Sequence, residues 1–117
     1  MSDFRKLMVW QKSYQLTLAV YHATTSFPKE ELFGITNQMR RAATSIAANI
    51  AEGSGRNSDA ELRRFCHIAM GSANELAFFA MLSHDLHYLD SSQYDGLQKT
   101  IEEVQRMLSG LIHKLKD

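Results

Sequence analysis

Three short clusters of helix-breaking residues cut this chain into four pieces, and each piece carries an apolar repeat of three to four residues. The clusters are Ser26-Phe27-Pro28, Gly53-Ser54-Gly55-Arg56-Asn57-Ser58 and Tyr88-Leu89-Asp90-Ser91-Ser92. No piece shows the alternating β-branched pattern of a strand. Short loops place sequence neighbours antiparallel, so the expected fold is all-α: an antiparallel up-down-up-down four-helix bundle forming a single domain over residues 1–117.

The first helix is expected over about residues 4–25, with Leu7, Trp10, Tyr14, Leu18 and Tyr21 as its inward row. The second is expected over about 30–54, with Glu30 and Glu31 in its first turn, where the helix dipole favours anions. Its row is Leu32, Ile35, Met39, Ala42, Ile46 and Ile50, and Gly53 and Gly55 supply the stop. Ser58 and Glu61 read as a capping box for a third helix over about 59–87, with Leu62, Phe65, Ala69, Ser72, Leu76 and Phe79 inward. The fourth is expected over about 92–116, capped by Ser91 or Ser92, with Leu97, Ile101, Val104, Leu108, Leu111 and Leu115 at coiled-coil spacing.

Two features exceed what one bundle needs. Ala42, Ala43, Ser45, Ala47, Ala48 and Ala51 face Ala69, Gly71, Ser72 and Ala73, small side chains that suit close packing of helices 2 and 3 or a contact between subunits. Met8, Val9, Leu16, Val20, Phe78 and Met81 lie off the expected rows, and surplus apolar faces on a bundle point to an oligomer.

Several classes of function are disfavoured. The single cysteine, Cys66, permits neither a disulfide framework nor a multi-cysteine metal site, and a lone thiol suits a cytoplasmic protein. Residues 1–20 lack the apolar core of a signal peptide, and no uninterrupted apolar run approaches 18 residues, so no membrane span is expected. No phosphate-binding glycine loop, nucleophile elbow or paired-carboxylate motif occurs, so no catalytic residue, cofactor, metal or small-molecule substrate is assigned. His84 and His87 are two ligands at most, a fragment of a metal site. Cys66 and His67 diverge by about 100° on a helix and make a poor nucleophile pair.

Charge is the remaining signal. Thirteen Lys and Arg balance thirteen Asp and Glu, which is unlike a typical nucleic-acid binder. Yet Arg40, Arg41, Arg56, Arg63 and Arg64 flank the hairpin of helices 2 and 3. They are the candidate phosphate-gripping residues. The competing expectation is internal pairing: Glu52 with Arg56 along the helix and, if residues summing to 112–116 face each other, Arg40 and Arg41 toward Glu75, with Asn49 and Glu52 toward Arg63 and Arg64.

Four segments together resemble a known family. They are Leu7-Met8-Val9-Trp10-Gln11-Lys12, Phe27-Pro28-Lys29-Glu30-Glu31-Leu32-Phe33-Gly34-Ile35, Gln38-Met39-Arg40-Arg41-Ala42-Ala43-Thr44-Ser45-Ile46 continuing to Asn49-Ile50-Ala51-Glu52-Gly53-Ser54-Gly55-Arg56, and Ile68-Ala69-Met70-Gly71-Ser72-Ala73-Asn74-Glu75-Leu76. In order and spacing the set is similar to the four-helix-bundle family of the 23S ribosomal RNA intervening-sequence protein. That resemblance implies a bacterial, cytoplasmic, ring-shaped homopentamer. It also implies kinship with the basic accessory proteins of diversity-generating retroelements, which are thought to bind nucleic acid and a reverse transcriptase. It supplies no catalytic residues. The neutral charge and the aromatic stretch Ala77-Phe78-Phe79-Ala80-Met81-Leu82-Ser83-His84 depart from the family pattern. The expected function is therefore a non-enzymatic, oligomeric binding or scaffold protein whose candidate ligand is structured RNA or an RNA-processing partner. The alternatives are a purely protein–protein module and, remotely, a ribonuclease of the HEPN type. The latter rests on Arg106 and His113, seven residues and two turns apart, with Met107 where such sites place a polar residue.

Overall fold

A computed structural model describes residues 3–115. Four helices run antiparallel: α1 (Met8–Thr24), α2 (Ile35–Ser54), α3 (Asp59–Asp85) and α4 (Ser91–Lys114). Single 3-10 turns precede α1 (Phe4–Lys6) and α2 (Lys29–Glu31), and the described residues contain no strand. Each helix packs on its two chain-order or terminal neighbours, so α1 and α3 occupy one diagonal of the square and α2 and α4 the other. The bundle measures 43 × 23 × 20 Å, the length that the 27 residues of α3 set at about 1.5 Å each.

The expected bounds hold to within a few residues except at α2. The stretch expected to open that helix instead forms the 3-10 turn after Pro28, and Leu32, Phe33 and Gly34 form a further turn. Gly34 sits at φ −111°, ψ −118°, outside the helical region, so the α-helical ladder begins at Ile35. Glu31 compensates: its Oε1 accepts the Ile35 N–H (3.3 Å), and its Oε2 accepts the Tyr88 hydroxyl (2.9 Å), tying the start of α2 to the α3–α4 loop. That hydrogen bond pushes the Tyr88 phenol above its usual range. Ser58 caps α3 by accepting the Glu61 N–H, while the Glu61 carboxylate turns to Arg64, so only half of the expected box forms. Asp90, rather than Ser91 or Ser92, caps α4, in a reciprocal box with Gln93. The expected end of helix 4 at residue 116 lies outside the described residues.

The core is built from Leu16, Val20, Met39, Ile46, Ile50, Leu76, Ile101, Val104 and Leu108, all fully buried. In α1 the inward face is the opposite of the expected one. Val9, Ser13, Leu16, Val20 and Ala23 are buried, whereas Tyr14 (48% exposed), Leu18 (55%) and Tyr21 (44%) face outward and Trp10 is half-buried. The reason is space and polarity. Ser13 satisfies its hydroxyl on the Val9 carbonyl (2.7 Å) and enters the core without cost, while the tyrosine hydroxyls stay in water. In α3 the face turns part-way from the expected row, so Cys66, Ala73, Ala80 and Ser83 join Phe65, Ala69 and Leu76 inside.

The small-residue seam packs α2 on α3. Ser45 Oγ and Ser72 Oγ meet at 2.9 Å, and a Cβ on Gly53 would stand 2.7 Å from Phe65 Cβ. The facing pairs Gly53–Leu62, Ser45–Ser72 and Gly53–Phe65 sum to 115, 117 and 118, at and just beyond the upper end of the expected 112–116.

The α3 helix is long and apolar enough, by length and composition, to cross a membrane, contrary to the expectation from uninterrupted runs. Between Arg64 and Asp85 its one Asp, Glu, Lys or Arg is Glu75. Packing against α2 and α4 accounts for one face of it, and Ile68, Phe78 and Met81 stay 42–51% exposed. The helix ends in a Schellman motif, with Tyr88 N–H on the Ser83 carbonyl (2.8 Å) and His87 N–H on the His84 carbonyl (3.0 Å). His87 occupies the left-handed position at φ 64°, which disfavours any residue with a Cβ. His87→Gly is expected to stabilise the fold by about 1 kcal/mol, read as a higher thermal midpoint at fixed protein concentration. An unchanged or lower midpoint would mean that His87 contributes an interaction of its own.

Candidate functional site

The five arginines do not make one patch. Arg40 and Arg41 lie near the start of α2, and Arg56 lies just past its end, about 24 Å away at 1.5 Å per residue. At the hairpin tip, Arg56 pairs with Glu52 (3.0 Å) and Arg64 with Glu61 (3.2 Å). Both guanidiniums lie over the Phe65 ring, 5.1 and 4.5 Å from its centroid. The Arg64 hydrogen bond holds the Glu61 carboxyl below its usual range and raises Arg64 in return. These two arginines and two glutamates around one ring carry no net charge. A polar cleft of about 250 Å³, lined by Arg56, Asn57, Ser58 and Asp59 among others, opens beside them.

Arg63 leaves the tip. Its Nε donates to the Ile112 carbonyl (3.2 Å), a cation set against the C-terminal end of α4. Arg40 Nε donates to Thr24 Oγ1 (2.9 Å), and its guanidinium lies 4.8 Å above the centroid of Tyr21. Arg41 is exposed and has no ion-pair partner among the described residues. Of the expected internal pairs, the structure contains Glu52–Arg56. It does not bring Arg40 or Arg41 to Glu75, nor Asn49 or Glu52 to Arg63 or Arg64. Asn49 instead bonds the Ser45 carbonyl (2.8 Å), Arg63 the Ile112 carbonyl and Arg64 the Glu61 carboxylate.

The remaining reactive side chains stay apart. Cys66 is fully buried, which pushes its thiol up to about 11, and the adjacent His67 is exposed. His84 stacks on Tyr94 at 4.5 Å, and no group of three or more His, Cys, Asp or Glu could hold a metal among the described residues. Arg106 and His113 are both exposed on α4, with no hydrogen bond between them, and Met107 beside them is half-buried.

The more continuous surface is apolar, and sequence reasoning placed half of it inside. Phe4, Trp10 and Tyr14 form a ladder along α1, with centroids 4.8 Å apart and then 5.1 Å, the second pair stacked. Leu18 and Tyr21 extend it toward Arg40. On α3, Ile68, Phe78 and Met81 are 42–51% exposed, with Phe78 edge-on to Phe79. Because α1 and α3 are diagonal, the α1 stripe and the adjacent Phe78 and Met81 on α3 look to opposite sides of the bundle, while Ile68 lies on the α2 flank of α3, about 140° around the helix from Met81. Charge is divided in the same sense. Residues 3–58 hold seven basic and four acidic side chains, and residues 59–115 hold five and eight. The off-row Phe78 and Met81 carry the sequence signal for α3, whereas α1 has two apolar stripes of the same spacing and its aromatic one faces outward.

Comparison with known proteins places this geometry. The family model for the 23S rRNA-intervening sequence protein matches residues 5–110. A crystal structure at 1.70 Å of a protein of unknown function from the S23 ribosomal protein family, from Bacteroides thetaiotaomicron VPI-5482, superposes with a TM-score of 0.81. That protein is 26% identical, and the match covers 90% of this chain and 98% of the other. Among curated proteins no match was found.

Proposed function

The chain belongs to the 23S rRNA-intervening sequence protein family, and from that premise we propose that it is a non-catalytic scaffold that assembles from copies of itself. The observation that carries this reading is the pair of exposed apolar faces on diagonal helices, Tyr14, Leu18 and Tyr21 on α1 and Phe78 and Met81 on α3. A two-fold contact would join one patch to itself. Two different patches on opposite sides, backed by layers of opposite net charge, suit a head-to-tail contact in which α1 of one copy meets α3 of the next. Such a contact closes into a ring when its rotation allows. Five copies is the closure that the family resemblance implies.

Structured RNA is the second reading, favoured by the solvation of the tip arginines. The side chains of Arg56 and Glu52 are 46% and 55% exposed, and an exposed helix pair of this kind contributes only about 0.3–0.5 kcal/mol. Arg56 can therefore exchange Glu52 for a phosphate at little cost, and Arg41 needs no exchange. A ring would repeat these groups around one axis and focus their field despite zero formal charge. Combined Arg41→Glu and Arg56→Glu substitutions are expected to abolish retention of structured RNA in a low-salt shift assay. The wild-type log affinity should fall linearly with log salt. Retention unchanged by both substitutions would remove RNA binding from these residues and leave the scaffold reading without this ligand.

A further inference from the structure

At the end of the bundle where α1 hands over to α2, a cleft of about 320 Å³ is lined by the apolar Phe27, Pro28 and Leu32 together with Lys29, Thr36 and Arg40. Its size is at the lower end of small-ligand sites, about 300–1,000 Å³.

Thr36 is the anomaly. It is 3% exposed, and its hydroxyl has no hydrogen-bond partner. Thr17, Thr24, Thr44 and Thr100 each donate to the carbonyl four residues earlier. Thr36 is denied that bond because α2 begins at Ile35, so residue 32 lies in the preceding turn, outside the helix. Buried hydroxyls are nearly always satisfied, and one that is not points to a missing partner. The hydroxyl oxygen is inaccessible as placed, so it meets a ligand in the cleft that its residue lines only after a χ1 turn, which breaks no hydrogen bond.

Arg40 supplies the charge. Its Nε is anchored on Thr24 and its face on Tyr21, which fixes the guanidinium plane. No carboxylate pairs with it among the described residues, so its terminal nitrogens remain a preset fork for a planar anion. Lys29 adds an exposed cation at the rim. The nearby Glu31 carboxylate is committed to Ile35 and Tyr88.

We propose that this cleft binds a small carboxylic acid anion with a short aryl or alkyl tail. The carboxylate lies on Arg40 and takes the Thr36 hydroxyl, and the tail rests on Phe27, Pro28 and Leu32. A single planar charge matches one fork with an apolar wall better than a phosphate dianion, which keeps more of its hydration.

The test titrates 3-phenylpropionate calorimetrically into the full-length protein, beside the neutral 3-phenylpropionamide and inorganic phosphate. Losing the charge-assisted contacts should weaken binding by about tenfold or more for the amide and for Arg40→Gln. Thr36→Val, which keeps the shape and removes only the hydroxyl, should weaken the carboxylate by about threefold to tenfold. Phosphate should bind more weakly than the carboxylate. If Arg40→Gln loses its cooperative melt, Thr36→Val and the amide decide. Absence of binding heat, equal affinity for the amide, tighter phosphate, or an unaffected Thr36→Val would each overturn the proposal.

Discussion

Leu18→Glu and Phe78→Glu are each expected to take the protein apart, reducing an assembly of about five chains to a single 13.3 kDa particle. Both positions are more than half exposed in the isolated bundle, at 55% and 51%. Glutamate is a good helix former, and a surface exchange of this kind usually changes fold stability by no more than about 0.5 kcal/mol. Each helix should therefore form as before, with unchanged circular dichroism. Between subunits, by contrast, each substitution buries an unpaired carboxylate at every contact of the ring, a cost of several kcal/mol each. Mixing the two variants separates a head-to-tail contact from a two-fold one. The Leu18→Glu chain retains a sound α3 face and the Phe78→Glu chain a sound α1 face, so a head-to-tail contact predicts a particle of one chain of each. A two-fold contact through α1 alone would leave the Phe78→Glu chain dimeric by itself. Light scattering coupled to size separation reads all three cases.

Gly53→Ala is expected to destabilise the bundle by about 1–3 kcal/mol, although the same exchange in a helix ordinarily stabilises by up to about 1 kcal/mol. The sign reverses because Gly53 is buried where α2 lies against α3. Its new Cβ would meet Phe65 Cβ at 2.7 Å and Leu62 Cδ1 at 3.1 Å. The Phe65 Cβ is fixed to the α3 backbone, so the helices must part or Phe65 must move. Gly96→Ala on α4 is the control: nothing lies within 4 Å of its Cβ, and the propensity gain should appear there undiminished. At roughly 4 °C per kcal/mol for a chain of this size, the two variants should melt on opposite sides of the wild type. Concentration must be held fixed, since self-association also raises the midpoint. A Gly53→Ala melt at or above that of Gly96→Ala would show that the α2–α3 seam is looser than described.

Where the sequence is punctuated, its structure is legible. The breakers after α1, α2 and α3 mark every helix, and Ser58 marks the start of α3 to the residue. The end of α3 is less sharp, since a Schellman motif normally announces itself with glycine and here His87 stands in that place. The start of α2 was hidden because Glu30 and Glu31 suit a first helical turn, while the departure from helical geometry occurs at Gly34. Helix α1 misled for a different reason. Two rows share its three-to-four spacing, and the larger side chains lie on the outer one, while Ser13 interrupts the inner one. Only the tertiary structure shows that the inner row meets α2 and α4. The arginine cluster was visible as a composition but not as a geometry, since residues 40 and 64 flank one hairpin in sequence while α2 holds Arg40 and Arg56 about 24 Å apart. The unsatisfied Thr36 hydroxyl could not be read at all before the first residue of α2 was known.

If further copies of this chain cover the outward apolar faces of α1 and α3, the wild-type protein is an assembly in solution. Sedimentation equilibrium of the wild-type protein across micromolar dilutions tests it most directly. One stable species at about five times 13.3 kDa is the expected result. A single 13.3 kDa species throughout that range would contradict it.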